Sequence, residues 1–155
     1  MKINYFILQE VVDGRPVIEE LPITLDDLKE KYHPDEVKKN AHTCFLDIEI
    51  EDLNKNIEAN KELIELSDVL EISLDTLEEI ITDQRPRLDD YVNYVLILFK
   101  SVGKHPTEID EKVEYQVGLE IYDNVVISIH SGIPIALKKI FRIFSRTPLD
   151  RKSVV

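Results

Sequence analysis

The sequence predicts an α+β fold: an antiparallel sheet with helices packed on one face and an amphipathic helix near the C-terminus. Three observations carry this. Strand-like runs on both sides of a helical middle give the order strands, helices, strands, helix. Two pairs of strand runs meet at Asp13-Gly14 and Asp123-Asn124, residues that suit tight hairpin turns. Between them, residues 52–83 space their apolar side chains as a helix does rather than by alternation.

The elements follow in order. "KINYFILQEVVDGRPVIEEL" reads as two strands around Asp13-Gly14, with Pro16 limiting where the second can pair. Thr24 is placed to cap "TLDDLKEKY", whose acidic first turn suits the helix dipole, and His33-Pro34 ends it. "TCFLDIEIED" alternates, with Leu46, Ile48 and Ile50 on one face. In the helical stretch Leu53, Ile57 and Ile64 form one stripe and Leu70, Leu74, Leu77 and Ile81 another, with Ser73 as an N-cap between them. The Tyr, Val and Phe content of "YVNYVLILFK" favours a strand. A hairpin over residues 111–132 would set Val117, Leu119 and Ile121 against Val125, Ile127 and Ile129, and Pro134 stands where the last helix would begin.

A chain of 155 residues fits one domain, 1–147, followed by a short mobile tail, 148–155. Its first apolar run ends at Gln9-Glu10, too early for a secretory signal, and residues 94–99 fall far short of the roughly 18 needed to span a bilayer. One cysteine, Cys44, makes no internal disulfide, and the chain reads as soluble and cytoplasmic.

Charge is unevenly distributed. Residues 136–155 carry six Lys+Arg against one acid, a balance of +5, which leaves −17 on residues 1–135 within a total of −12. Over residues 136–146, Ala136, Leu137, Ile140, Phe141, Ile143 and Phe144 occupy one arc of a helix, and Lys138, Lys139, Arg142 and Arg146 the other. The apolar arc is a lid for the sheet. With so acidic a body, the basic arc is expected to meet acids of its own chain, or of a twin subunit in a homodimer, rather than nucleic acid or a membrane.

The acids themselves form a comb. On a strand Asp47, Glu49 and Glu51 project to one side, about 6.5 to 7 Å apart, opposite Leu46, Ile48 and Ile50. Glu58, Glu62, Glu65, Asp75, Glu78 and Glu79 on neighbouring helices would widen the field if they share its face. Together these nine are the expected partner-binding surface; the solvated side of a half-buried strand is the plainer reading of the comb.

Catalytic and metal motifs are sparse. His42 and Cys44 with His33 and Asp35 lack the paired spacing of a zinc site, so no metal or other cofactor is expected. No nucleophile elbow, phosphate loop or dinucleotide turn occurs. His130 and Ser131 are adjacent on a strand, so they point to opposite faces and form no dyad of their own.

Residues 66–103 resemble the helix-turn-helix of the lambda-repressor and Cro type. Leu66, Val69 and Leu70 match the first helix's core, Ile72 the turn, Leu77 and Ile80 the recognition helix, and Pro86 the break before a third helix. Three departures stand out: Glu71 replaces the usual Gly, the third helix would run a turn too long, and Asp75, Glu78 and Glu79 would repel phosphates. The resemblance therefore implies similar packing rather than DNA binding.

These features lead to the expectation of a non-enzymatic, acidic protein-binding domain, most concretely a bacterial immunity protein. Such an inhibitor neutralises a basic nuclease toxin by filling its phosphate-binding cleft with acids. The alternative is a transcriptional regulator or antitoxin using residues 66–103. A small enzyme working through His130, or through Cys44 with His42, comes third.

Overall fold

A computed structural model describes residues 1–10, 16–33, 43–50, 61–82, 85–104, 112–122 and 124–132, with Ile135, Leu137 and Lys139. The chain runs β1 (Lys2–Glu10), β2 (Pro16–Ile23), α1 (Leu25–Lys31), β3 (Thr43–Glu49), α2 (Lys61–Leu70), α3 (Leu74–Ile81), β4 (Arg87–Asp90), β5 (Val95–Lys104), β6 (Lys112–Ile121) and β7 (Val125–His130). The strands form one sheet in the order β2-β1-β3-β7-β6-β5-β4. The α+β class holds, but the sheet is mixed rather than antiparallel: β3 and β7 run parallel, and every other pair is antiparallel. The parallel junction arises because β7, leaving its hairpin with β6, enters beside β3 instead of lying at an edge. Among the described residues no helix is long and apolar enough to cross a membrane.

Local chemistry fixes the helices. Thr24 and Asp27 form a capping box at α1, each side chain accepting the other's backbone N–H at 3.2 Å. Ser73 caps α3 by accepting the Thr76 N–H at 3.2 Å. Between α2 and α3 the backbone reverses through Glu71, whose φ of 56° is left-handed. The Ile72 N–H returns to the Ser67 carbonyl at 3.2 Å, and the Ser67 hydroxyl donates to the Ile72 carbonyl at 2.6 Å. Glutamate thus takes the conformation for which glycine is usual, held by the buried Ile72 that follows it.

The α2-turn-α3 packing expected from the helix-turn-helix resemblance is present. No third helix follows: the chain after Pro86 forms β4 and β5.

One sheet face receives the helices. Cys44, Leu46 and Ile48 of β3, Leu96 and Leu98 of β5, and Val125, Ile127 and Ile129 of β7 pack with Leu28, Leu63, Leu66, Leu70, Leu77 and Ile80 in one buried core. Helix α3 comes so close to β6 that a Cβ on Gly118 would lie 2.6 Å from Ile80 Cγ2. Beside it, Gln116 Nε2 of β6 reaches the carbonyls of Glu79, Ile80 and Thr82 at 2.9, 2.5 and 2.5 Å, covering acceptors that the helix end leaves open.

The last hairpin joins β6 to β7 between Tyr122 and Val125, where the expected turn falls, but its cross-strand pairing differs. Val117, Leu119 and Ile121 face His130, Ser128 and Val126, not Ile129, Ile127 and Val125. A two-residue turn closed by the Tyr122 N–H on the Val125 carbonyl at 2.8 Å pairs odd residues of β6 with even ones of β7. The apolar rows of the two strands therefore lie on opposite faces of the sheet.

Of the expected C-terminal helix, Leu137 is buried and Lys139 exposed. The helix as an element is not shown, and Lys138, Arg142, Arg146 and the tail 148–155 lie outside the described residues. So do the turn at Asp13-Gly14, His42, and Leu53 and Ile57 of the first helical stripe.

Candidate functional site: a buried Asp47, Ser128 and His130 cluster

The parallel pairing of β3 with β7 sets Asp47 beside Ser128 and Glu49 beside His130, on the face away from α1, α2 and α3. Asp47, Ser128 and His130 are 3%, 0% and 4% exposed. The Ser128 hydroxyl donates to Asp47 Oδ1 at 2.5 Å, and His130 Nε2 donates to the same oxygen at 2.7 Å. His130 Nδ1 lies 2.9 Å from the Gly132 carbonyl. A carbonyl only accepts, and Asp47 Oδ1 sits against the other nitrogen, so both ring nitrogens face acceptors. Two N–H donors satisfy that arrangement, so the geometry favours the protonated ring beside the Asp47 carboxyl group.

Gly132 makes this possible. Its φ is +61°, and a Cβ there would lie 2.5 Å from the Tyr115 ring, so no other residue fits without displacing the ring or the carbonyl.

Burial by itself would lower the His130 pKa. The hydrogen bond and charge of Asp47, with smaller contributions from the Gly132 carbonyl and Glu49, outweigh it and raise the value above the ordinary 6.5. Protonation therefore favours the folded state. The stabilisation is complete below the unfolded value of about 6.5 and is lost as pH rises through the higher folded value. Heat-denaturation midpoints should fall across that rise in the wild type, and His130→Gln should flatten the step. Equal slopes in the two proteins would contradict the assignment.

The trio differs from a hydrolytic triad. Ser128 donates its hydroxyl hydrogen bond to the carboxylate rather than to the imidazole, and both ring nitrogens face acceptors, so the protonated ring has no lone pair to act as a base toward Ser128. A cavity of about 310 Å³ opens beside the ring, lined by Thr82, Lys100, Glu114, Tyr115, Gln116 and Ser131 among others. It lies at the carboxyl end of β7, but the histidine meets it with no nitrogen to offer. Among the described residues no group of three or more His, Cys, Asp or Glu is placed to hold a metal ion.

A second buried acid sits on the helix face. Glu120 is 0% exposed and accepts from the Tyr122 hydroxyl at 3.1 Å. Burial, and then the Glu120 charge, push the Tyr122 pKa up; Tyr32 is raised by burial, then by Cys44 and Glu120. Cys44 itself faces into the core.

The expected acidic surface is divided. Asp47 is withdrawn from it by burial, and Glu49, half-buried, lies across from Lys2. Glu62, Asp75 and Glu78 are exposed on α2 and α3, beyond the opposite face of the sheet. Glu65 holds Lys29 at 2.7 Å and raises its pKa, while Glu79 pairs with Arg87. Glu51 and Glu58 lie outside the described residues. Sequence reasoning missed Ser128, Gly132 and Glu120. The alternation of "VVISIH" does carry a signal, since it puts Ser128 and His130 on one face at the spacing of Asp47 and Glu49.

No protein-family model matches the sequence, and no curated protein matches it either. Solved structures do. The soluble domain of CorA from Methanocaldococcus jannaschii is 20% identical, with a TM-score of 0.56 over 96% of this chain and 50% of that one. The fold resembles that of the CorA soluble domain. The complete CorA magnesium transporter from the same organism is 20% identical, with a TM-score of 0.59 over 94% of this chain and 37% of that one. The full-length CmaX protein is 16% identical, with a TM-score of 0.55 over 91% and 38%. This chain spans half or less of each neighbour's length.

At such identities the likeness is one of fold. It nonetheless corrects the expectation of an immunity protein or toxin inhibitor: the folds like this one include the soluble domain of a magnesium transporter.

Proposed function

We propose that this chain serves as a non-enzymatic domain of a magnesium-transport assembly, the counterpart of the CorA soluble domain. The observation that carries this reading is the match to CorA over 94 to 96% of the chain. Charge supports it. A net −12, with Glu62, Asp75 and Glu78 exposed on the helix layer, produces a field that concentrates divalent cations near the surface. The occupied nitrogens of His130 support a role without turnover.

Heat denaturation in magnesium chloride, against sodium chloride of matched ionic strength, tests the reading. Ligand that binds only the folded state at tenfold its dissociation constant adds about 1.4 kcal/mol, so magnesium should raise the midpoint saturably beyond the sodium control. Superimposable magnesium and sodium curves would defeat it.

A further inference from the structure

The sheet ends at β4, and that edge is chemically marked. Among the described residues β4 is the terminal strand beyond β5. Leu88 is 64% exposed on it, and Val92 in the turn that follows is fully exposed. Soluble domains usually blunt such edges with charge or proline rather than presenting a leucine.

The hydrogen-bond alternation tells which groups point outward. The Tyr91 N–H bonds the Tyr94 carbonyl at 2.9 Å, making 91 and 94 a bonded pair. Stepping along the antiparallel ladder, 89 with 96 and 87 with 98 are bonded, so Leu88 and Asp90 turn their N–H and C=O groups away from β5.

We infer that β4 pairs antiparallel with β4 of a second copy of this chain about a two-fold axis at Leu88, joining the two sheets into one. Three two-fold registers use the outward groups of Leu88 and Asp90. Pairing Leu88 with Asp90 sets Asp89 against the partner subunit's Asp89, and pairing Asp90 with itself opposes two aspartates; both are unfavourable. Pairing Leu88 with the partner subunit's Leu88 sets Arg87 against the partner subunit's Asp89 on both sides of the axis.

Arg87 already holds its own Asp89 at 2.7 Å, so this register closes an alternating ring of two arginines and two aspartates on one face. On the other face the two leucines cover each other. Asp90 N–H groups reach the Pro86 carbonyls, and Pro86, lacking an N–H, ends the ladder. The contact is isologous: one patch meets its own copy. It goes beyond the transport reading and does not depend on it.

Sedimentation equilibrium over a concentration series, at physiological ionic strength to screen repulsion between two acidic chains, should show a monomer-dimer equilibrium. Leu88→Lys should abolish the dimer without moving the heat-denaturation midpoint of the monomer. Bonded antiparallel partners have Cα atoms about 5.5 Å apart, within disulfide reach. Mild oxidation of Leu88→Cys should therefore give a covalent dimer on a non-reducing gel, and Val92→Cys should not. A wild type that stays monomeric throughout, or a Leu88→Lys protein that still dimerises, overturns the inference. Magnesium response of the Leu88→Lys monomer would be unaffected by either outcome.

Discussion

Asp47→Ala is expected to destabilise the domain by about 3–5 kcal/mol near pH 6, the effect of removing one member of a buried pair and leaving the other charge unmatched. Against a typical domain stability of about 5–15 kcal/mol, that is a large fraction of the whole. Two donors lose their acceptor at once, since Ser128 and His130 both bond Asp47 Oδ1. Denaturant titration measures the loss. It should shrink once pH rises past the elevated His130 pKa, because the native imidazole is then neutral and less is lost with the carboxylate. Combining Asp47→Ala with His130→Leu should cost less than the two singles added, since the double variant buries no imidazolium. A single-variant loss under about 1 kcal/mol would place the carboxylate among ordinary exposed pairs and contradict the buried geometry.

Gly118→Ala should cost about 1–3 kcal/mol, the usual range for an added carbon in a filled core. The new Cβ would stand 2.6 and 2.8 Å from Ile80 Cγ2 and Cγ1, and 3.2 Å from Ile80 Cβ. These atoms lie close to the α3 backbone, so the helix must lift from β6 and strain the Gln116 contacts at its end. Ile80→Ala alone removes a fully buried side chain at about 2–5 kcal/mol. In the double variant the smaller residue at 80 makes room for the methyl at 118, giving a favourable coupling of about 0.5–3 kcal/mol in denaturant titrations. Strict additivity would mean that Ile80 swings clear in another rotamer and that Gly118 does not set the spacing between helix and sheet.

What could be read from the chain followed the range of the interactions. Thr24 and Ser73 act within three residues, and their caps stand in the structure as expected, as does a hairpin joining β6 to β7. The alternation of "TCFLDIEIED" rightly put Asp47 and Glu49 opposite Leu46 and Ile48. Whether that side met water depended on β7, which supplies Ser128 and His130 from 81 and 83 residues away. A strand's pattern names its faces but not its neighbours, so a buried acid and a solvated one look alike in sequence. The register of the last hairpin was legible in principle: once two residues make the turn, odd must face even. The apolar rows suggested a partnership that the turn forbids.

The parallel junction of β3 and β7 gives the chain an uneven wiring. Strands β2, β1 and β3 come from residues 2–49, and β4 to β7 from residues 87–130, each set joined to its neighbours antiparallel. Among the described residues the two sets meet in the sheet only along β3 and β7. Within the second set contacts run between consecutive strands, and in the first β1 reaches β3 across about 35 to 47 residues, while the junction closes a longer loop of about 80 residues, for which the entropy penalty grows as the logarithm of length. The domain is then a three-stranded set centred on β1 and a four-stranded meander, β4 to β7, sharing one seam. The Asp47, Ser128 and His130 cluster ties that seam with side chains from both halves.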